Sequence, residues 1–294
     1  MKFIVSILVL LIQITLMAQK PIIQGHRGCR GEFPENTLPA FQHALEAGIT
    51  VLEMDVCISA DGRVLVSHEP YMNSLYANKP DGTPVLKSEE NSFNVFKMDY
   101  DEVRKFDVGS RGNALFPEQK KIFAYKPLLE EVFQLAEDFR LKSGKKIYYN
   151  IEIKSDPREY GVSQPATVEE FSEKVWAVMA KRVRPEWIIL QSFDFNVLKY
   201  WHKSIQSGHF AQVSLSALVT RKGPENTCTE LGFTPTIYSP NFTSLNKDIV
   251  NQCHSKGMLV IPWTVNEPSD FQNMIQMGVD EIITDYPSRM LKNL

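Results

Sequence analysis

Short apolar runs alternate with helical patterns along most of the chain. Eight runs are rich in β-branched and aromatic residues and have the length of buried strands: PIIQGH, TVLEMDVCI, KIYYNIEIK, WIILQSF, AQVSLSAL, TIYSPN, LVIPWTVN and EIITD. Segments between them, such as TVEEFSEKVWAVMAKRV and NKDIVNQCHSKG, repeat apolar residues with the period of a helix. Strands separated by such helices pair in parallel through right-handed crossovers. The pattern therefore predicts an α/β fold, a closed (β/α)8 or TIM barrel.

This alternation stops between about residue 69 and residue 126. The segments NKPDGTPVLKSEENSF and VGSRGNALFPEQKK are polar and rich in turn residues, and together they are too long for an ordinary connection. The hairpin pattern ISADGRVLVSH, with Asp61 and Gly62 at its turn, precedes them. We therefore predict an insertion after strand two, over the mouth of the barrel.

The insertion carries four aromatic residues, Tyr71, Tyr76, Phe93 and Phe96. We expect them to form a small hydrophobic core of the insertion itself. The alternative is that they contact a quaternary ammonium group by cation–π attraction.

The first residues have a different character from the rest. Lys2 precedes an apolar run from Phe3 to Ile12, and Ala18 is a small residue suited to a cleavage site. This pattern predicts a signal peptide over residues 1–19 and a barrel domain over 20–294. An uncleaved anchor is the alternative, although the run is short against the ~20 apolar residues that a membrane span needs. We expect an exported protein, periplasmic or secreted, with no stable membrane anchor after cleavage.

Composition and charge exclude several classes of function. The 294 residues are 43% hydrophobic and 23% charged, as in ordinary globular proteins, and the formal net charge is -3. A nucleic-acid-binding protein usually has a basic excess, so we expect no nucleic-acid partner. No Gly-x-Gly-x-x-Gly motif follows a strand, which speaks against dinucleotide binding. The cysteines are too few for a disulfide scaffold and lack zinc spacing: Cys29, Cys57, Cys228 and Cys253.

Three carboxylates are predicted to meet at the barrel mouth. Glu53 and Asp55 lie two residues apart on strand two and therefore share a face, and Glu152 lies on the following strand of the barrel. Such a group repels itself unless a cation or a proton neutralises it. Oxygen ligands favour Mg²⁺, Ca²⁺ or Mn²⁺ over zinc. The alternative is that these are solvated strand-end charges, with Glu152 in a salt bridge to Lys154.

Two histidines are expected at the same mouth. His26 ends strand one, and His68 ends the hairpin that follows strand two. An imidazole titrates near neutral pH, so the two suit a general acid and a general base. Arg27 and Lys154 add fixed positive charge, and the planar guanidinium of arginine matches a phosphate.

The residues around these positions resemble a known signature. The segment GHRGCRGEFPENTLPAFQHALEAGITVLEMDVCISADGRVLVSHEP, followed by NIEIK, PWTVN and IITDYP in that order, is similar to the glycerophosphodiester phosphodiesterases. The likeness covers nearly the whole chain after the leader. It implies a barrel with an insertion after strand two. It also implies metal-dependent hydrolysis of glycerophosphodiesters to sn-glycerol 3-phosphate and an alcohol.

The resemblance further implies roles for individual residues. These are acid/base catalysis by His26 and His68, binding of one divalent cation, Ca²⁺ or Mg²⁺, by Glu53, Asp55 and Glu152, phosphate contact by Arg27 and Lys154, and a pocket wall at Trp263. Barrel packing is the alternative for Trp263, because tryptophan is commonly well buried. One position departs from the pattern: the family usually has Asp after the second histidine, and this chain has Glu69.

Two other classes of function stay open at this point. A glycoside hydrolase on a barrel would also need paired carboxylates, but it would not require two histidines and a clamp of arginine and lysine. A non-catalytic exported binding protein could keep the same pocket. Turnover of nitrophenyl glycosides would indicate the first class, and tight binding without turnover the second.

Overall fold

The computed structural model describes residues 20–294. The predicted signal peptide over residues 1–19 lies outside the described residues. Within residues 20–294, no helix is both long enough and apolar enough to cross a membrane.

The described residues contain nine strands in one sheet and nine α-helices. The strands are β1 (Ile22–Gly25), β2 (Val51–Ile58), β3 (Val64–Val66), β4 (Tyr148–Ile153), β5 (Ile188–Ser192), β6 (Ser214–Val219), β7 (Ile237–Pro240), β8 (Leu259–Val260) and β9 (Glu281–Thr284). The helices are α1 (Leu38–Glu46), α2 (Tyr100–Val103), α3 (Leu129–Ser143), α4 (Val168–Arg182), α5 (Phe195–Gln206), α6 (Pro224–Leu231), α7 (Lys247–Ser255), α8 (Pro268–Met277) and α9 (Pro287–Leu291).

The predicted barrel is confirmed. Neighbouring strands follow the order β8-β7-β6-β5-β4-β2-β1-β9 and pair in parallel, while β3 pairs antiparallel with β2. The two ends of this path also meet. The Asp280 amide donates to the Val260 carbonyl and the Ile283 amide to the Pro262 carbonyl, each at 3.0 Å. Eight parallel strands therefore form a nearly closed barrel, and β3 is the second arm of the predicted hairpin.

Local capping sets the ends of the helices. The Glu170 amide donates to the Thr167 hydroxyl at 3.2 Å at the start of α4. Gly48 follows α1 with a φ of +103°, a backbone conformation that favours glycine. Helix α3 was not among the predicted elements. Its sequence LEEVFQLAEDFRLKS is mostly polar, and only four of its residues are buried.

A separate hydrophobic cluster holds the insertion together. Its buried residues are Cys57, Leu65, Met72, Tyr76, Ala77, Val85, Val95, Tyr100, Val103, Phe106, Val108, Ala124 and Leu128. Phe93 packs against this cluster, whereas Phe96 packs against the main barrel core. The expected core of the insertion therefore exists and includes Tyr76 and Phe93. Because Cys57 and Leu65 belong to β2 and β3, the insertion is packed directly on the hairpin.

All four cysteines are free thiols, and three of them are buried: Cys29, Cys57 and Cys253. Cys57 is a packed thiol. Burial raises its pKa to about 12, so it stays protonated at neutral pH.

Candidate active site

Three buried carboxylates meet where β2 and β4 lie side by side. Asp55 pairs with Glu152 in the register of the two strands, and Glu53 lies on the same face of β2. One oxygen from each carboxylate lies within 4.8 Å of the others. Strand β2 continues past Glu53 and Asp55 to Ile58, because its last residues pair with β3. Asp55 and Glu152 form the second-to-last pair between β2 and β4.

Backbone and amide donors fix the position of two of these carboxylates. Glu53 Oε2 accepts from the Arg27 amide at 2.8 Å, and its Oε1 accepts from the Gln191 side chain at 2.9 Å. Asp55 Oδ2 accepts from the Asn36 side chain at 2.9 Å. Arg27 and Asn36 adopt φ values of +50° and +55°, which are uncommon for residues with a Cβ. The loop after β1 therefore adopts left-handed conformations where it contacts the cluster.

The electrostatics of the cluster favour a bound cation. Burial and the neighbouring Asp55 raise the pKa of Glu53, and burial raises the pKa of Glu152 even though Lys154 opposes the shift. Burial also acts on Asp55, but Arg27 outweighs it and holds the pKa of Asp55 below its usual range. A divalent cation would let all three carboxylates ionise together. Since every ligand is an oxygen, the residues fit a hard cation.

Lys154 lies at the edge of the cluster. Its Nζ is 3.0 Å from Glu152 Oε1 and 4.0 Å from Asp55 Oδ1. The salt bridge between Glu152 and Lys154 that the sequence left open is therefore present alongside the carboxylate cluster. Burial opposes the positive charge of Lys154, but Glu152 and Asp55 outweigh this and raise its pKa. Lys154 therefore stays a cation in the pocket.

His26 is bound to a carboxylate that the sequence analysis missed. Its Nδ1 lies 2.6 Å from Asp285 Oδ1, at the end of β9. An ionised carboxylate only accepts, so Nδ1 carries the proton. The other ring nitrogen, Nε2, lies 3.9 Å from Glu53 Oε2 on the side of the cluster. Burial lowers the pKa of His26 to about 4, although Asp285 acts in the opposite direction.

Two further side chains fix Asp285. Arg30 donates from Nε to Oδ1 at 2.9 Å and from Nη2 to Oδ2 at 3.0 Å, and Asn266 donates to Oδ2 at 2.8 Å. Burial opposes the charge of Asp285, but His26 and Arg30 together hold its pKa below the usual range. One signal in the sequence pointed to it: Asp285 directly follows a buried strand, as His26 does.

His68 is also bound to a carboxylate, that of the next residue. Its Nδ1 lies 2.9 Å from Glu69 Oε1, and the other oxygen of Glu69 accepts from the Tyr76 hydroxyl at 2.8 Å. Burial would raise the pKa of Glu69, but the hydrogen bond and charge of His68 hold it below its usual range. The structure therefore places both predicted histidines in the same kind of pair, with Nδ1 facing a carboxylate.

Arg27 is buried beside the carboxylates. Its Nη1 donates to Glu35 Oε1 at 2.6 Å, and its Nε lies 3.4 Å from Asp55 Oδ2. Burial acts against the charge of the guanidinium, but Glu35 and Asp55 outweigh it and raise the pKa of Arg27 further. Contact of Arg27 with a phosphate stays a prediction.

A pocket of about 200 Å³ joins these groups. It is lined by His26, Arg27, Arg30, Glu53, His68, Glu152, Lys154, Gln191, Phe193, Leu218, Trp263, Thr264 and Ile283. Seven of the eight predicted site residues are among them, and Asp55 adjoins the pocket through the carboxylate cluster. Trp263 donates from Nε1 to the Ser239 carbonyl at 2.9 Å and packs edge-on against Phe193, with ring centroids 5.4 Å apart. The two rings form an apolar part of the pocket wall, and Lys154 Nζ lies 5.8 Å from the centroid of the Phe193 ring.

The remaining four histidines lie outside this pocket. His202 stacks on the Phe233 ring, and the other three bind carboxylates: His43 binds Glu32, His209 binds Glu173 and His254 binds Asp280. None of them lines the pocket.

Comparison with known proteins gives a consistent result. The profile of the glycerophosphoryl diester phosphodiesterase family matches residues 26–289. A glycerophosphodiester phosphodiesterase of Bacillus altitudinis is 27% identical over 270 residues, which cover 92% of this chain and 96% of that protein.

Solved structures share the fold. A crystal structure from Silicibacter pomeroyi DSS-3, provisionally described as a glycerophosphoryl diester phosphodiesterase, is 28% identical with a TM-score of 0.81 and covers 93% of this chain and 92% of that one. A phosphodiesterase of Oleispira antarctica, solved in complex with the product sn-glycerol-3-phosphate, has a TM-score of 0.71 at 20% identity. The match covers 93% of this chain and 96% of that one.

Proposed function

Because this chain belongs to the glycerophosphoryl diester phosphodiesterase family and is a phosphoric diester hydrolase, we propose that it cleaves glycerophosphodiesters to sn-glycerol 3-phosphate and an alcohol. One observation carries the proposal: three buried carboxylates, two cationic side chains and two carboxylate-bound histidines adjoin a single pocket. The Oleispira antarctica protein, whose structure holds sn-glycerol-3-phosphate, supports the same product by its shared fold.

The proposed metal ligands are Glu53, Asp55 and Glu152. Their buried oxygen atoms would hold one hard divalent cation, Ca²⁺ or Mg²⁺. When bound, such an ion supplies Lewis-acid stabilisation of the charge on a phosphoryl oxygen. The donors from Arg27, Gln191 and Asn36 hold two of the carboxylates in place before any ion binds.

Two positively charged side chains, those of Arg27 and Lys154, would bind the substrate phosphate. Arg27 and Lys154 line the same pocket as the carboxylates, and both keep their charge at neutral pH. They would contact the phosphate oxygens and hold the phosphorus near the two histidines. Trp263 and Phe193, on the apolar wall, would contact the carbon skeleton of the substrate.

The two histidines would transfer the protons. Each has its Nδ1 bound to a carboxylate, so each has Nε2 free for exchange with the substrate. One histidine takes the proton from the attacking group, and the other gives a proton to the oxygen of the leaving alcohol. The carboxylate bound to Nδ1 fixes the orientation of each ring during these transfers.

This arrangement fits a phosphodiesterase better than the two other classes of function that the sequence left open, a glycoside hydrolase and a binding protein. A glycoside hydrolase needs a pair of carboxylates at a sugar ring and has no use for a cationic clamp. Binding without catalysis does not require two pocket histidines that are each oriented by a carboxylate. Membership of a family of phosphodiesterases agrees with both points.

The first prediction concerns the reaction and its cation. Glycerophosphodiesters with choline, ethanolamine, glycerol and inositol headgroups should release sn-glycerol 3-phosphate, measured with a coupled dehydrogenase assay. EDTA should abolish the release, and Ca²⁺ or Mg²⁺ should restore it. Glu152→Gln should raise the metal concentration needed for half-activity, because one anionic ligand becomes neutral.

Nitrophenyl glycosides serve as the control substrates and should give no nitrophenol. Full activity in excess EDTA, or a Glu152→Gln enzyme with an unchanged metal requirement, would contradict the three-carboxylate site.

We also propose that the protein is exported to the periplasm or secreted, from the pattern of residues 1–19. N-terminal sequencing of the mature protein should show cleavage near Ala18 or Gln19. A mature protein that still begins at Met1 would overturn this proposal.

A further inference from the structure

We propose that Glu69 is the positioning residue for His68, and that the insertion holds Glu69 in place through Tyr76. This inference rests on the proposed acid/base role of His68. The Nδ1 of His68 lies 2.9 Å from Glu69 Oε1, and the Tyr76 hydroxyl donates to Glu69 Oε2 at 2.8 Å. Both oxygens of one carboxylate are therefore engaged, one by the histidine and the other by the insertion.

These hydrogen bonds lie largely away from water. The Glu69 side chain is 15% exposed, and Tyr76 is buried in the hydrophobic cluster of the insertion. Because few water molecules can compete there, the two bonds hold the carboxylate and the imidazole in one arrangement. The ring then keeps its proton on Nδ1 and presents Nε2 for proton transfer.

The backbone of Glu69 is anchored as well. The Ser67 hydroxyl donates to the Glu69 carbonyl at 2.6 Å, and the buried ammonium of Lys126 donates to the same hydroxyl. The Ser67 amide donates to the Asp55 carbonyl at 2.9 Å. The peptide is thus held between β2 and the last residues of the insertion. With the backbone fixed, the length of the side chain decides where the carboxylate lies.

The importance of that length can be tested by shortening the side chain at position 69 by one methylene group. Replacing Glu69 by Asp would withdraw the carboxylate by about 1.5 Å, the length of one carbon–carbon bond. A carboxylate on the shorter side chain could not keep both His68 and Tyr76 within hydrogen-bonding distance. The inference therefore predicts that Asp at position 69 supports catalysis less well than Glu69.

The chain contains a matched control for this test. Glu173, on α4, accepts from the Tyr200 hydroxyl at 2.6 Å and lies 2.7 Å from His209 Nε2. It has the same three residue types, although both partners here bind one oxygen, Oε1, and its residues are not among those that line the pocket. The substitution Glu173→Gln therefore makes the same chemical change without touching the site.

The second prediction is the kinetic test of this inference. We expect Glu69→Gln to lower kcat by about 10- to 100-fold at saturating metal, with a much smaller change in KM, because proton transfer rather than binding is impaired. Glu69→Asp should lower kcat by about 10-fold, since a misplaced catalytic group is costly. Tyr76→Phe should lower it by about 3- to 10-fold. Glu173→Gln should leave kcat and KM unchanged.

An NMR measurement separates positioning from a general structural role. In protein with ¹⁵N-labelled histidine, wild-type His68 should show its proton on Nδ1. Glu69→Gln should shift His68 toward the Nε2–H tautomer, because an amide can donate to the ring as well as accept. The His26 signals should not move, since Asp285 binds that ring. If the signals of His26 and His68 both moved in Glu69→Gln, the proposal that Glu69 positions His68 specifically would be overturned.

The outcomes distinguish this inference from the proposed function. If His68→Ala is inactive while Glu69→Gln and Glu69→Asp keep the wild-type kcat, the inference is overturned and the proposed function stands. If His68→Ala keeps its activity, the proposed function itself fails at this residue. If circular dichroism shows that Glu69→Gln does not fold, Tyr76→Phe becomes the test of the inference, because it removes only one hydroxyl group. A lowered kcat then supports the inference, and an unchanged kcat overturns it.

Discussion

The two histidines of the pocket are held by different parts of the molecule. His26 binds Asp285, a residue 259 positions away, and the pair joins the ends of the neighbouring strands β1 and β9. His68 binds its own neighbour Glu69, whose other partner, Tyr76, belongs to the insertion. The His26 and Asp285 side chains are 12% and 1% exposed, whereas those of His68 and Glu69 are 31% and 15% exposed.

This difference shows that two separate parts of the fold position the histidines of one site. The barrel fixes the first histidine, because Arg30 in the loop after β1 and Asn266 in the loop after β8 both donate to Asp285. The insertion fixes the second, because the hydrophobic cluster around Tyr76 packs on the hairpin that carries His68. Changes in the loops after β1 and β8 should therefore affect His26, and changes in the insertion should affect His68. Folding of the insertion is accordingly part of the catalytic geometry.

The third prediction has the largest expected effect and asks whether both pairs are needed. His26→Ala and His68→Ala should each lower kcat by about 10²- to 10⁴-fold, because each removes one of the two proton transfers. The measurement is steady-state release of sn-glycerol 3-phosphate at saturating metal, with circular dichroism to show that each variant folds. Near-normal turnover in either variant would show that this histidine has no part in the mechanism, and the two pairs could then no longer be compared as catalytic groups.

The fourth prediction concerns the stability that each pair contributes. Asp285→Asn should lower the free energy of unfolding by about 3 kcal/mol, because the neutral amide leaves the Arg30 guanidinium without its buried counter-charge. Glu69→Gln should cost about 1 kcal/mol, since Glu69 is more exposed and the amide can still bind Tyr76. Urea unfolding in EDTA, followed by fluorescence, measures both.

Equal losses in the two variants would show that burial of the carboxylate does not set the difference between the pairs. Glu173→Gln serves again as a reference, and an exposed pair of this kind should change stability by less than about 0.5 kcal/mol.

The fifth prediction uses the pH dependence of stability. The pKa of His26 is about 4 in the folded protein and about 6.5 in the unfolded chain, so between these values the unfolded chain binds more protons. Stability should therefore rise with pH across this window and fall as the solution is acidified toward pH 4. His26→Gln should remove about 1–3 kcal/mol of that rise.

Unfolding midpoints in urea at several pH values between 4 and 7.5, in EDTA, test this dependence. Acidification also weakens the contribution of Asp285, whose pKa is depressed, but that loss falls at a lower pH than the loss from His26. A His26→Gln protein with the full wild-type slope above pH 4.5 would show that the burial of His26 is not what sets the slope.

Much of the site could be predicted from the sequence because its signals are local. Alternation along β2 places Glu53 and Asp55 on one face, and the same rule applies to Glu152 and Lys154 at the end of β4. The eight apolar runs were sufficient to identify the barrel, since strands and helices of these lengths close into few architectures. The position of His26 directly after a strand then located the mouth.

Other contacts were decided only by the tertiary structure. Asp285 reaches His26, and Gln191 reaches Glu53 across 138 residues, because the sheet places strands that are distant in the sequence side by side. Tyr76 reaches Glu69 because the insertion folds back on the hairpin through its own hydrophobic cluster. Periodicity along a chain determines which face a side chain occupies, but it carries no information about which distant side chain faces it. That choice follows from the packing of the whole barrel and its insertion, where burying apolar surface selects the arrangement of strands and hydrogen bonds then fix the polar groups left inside.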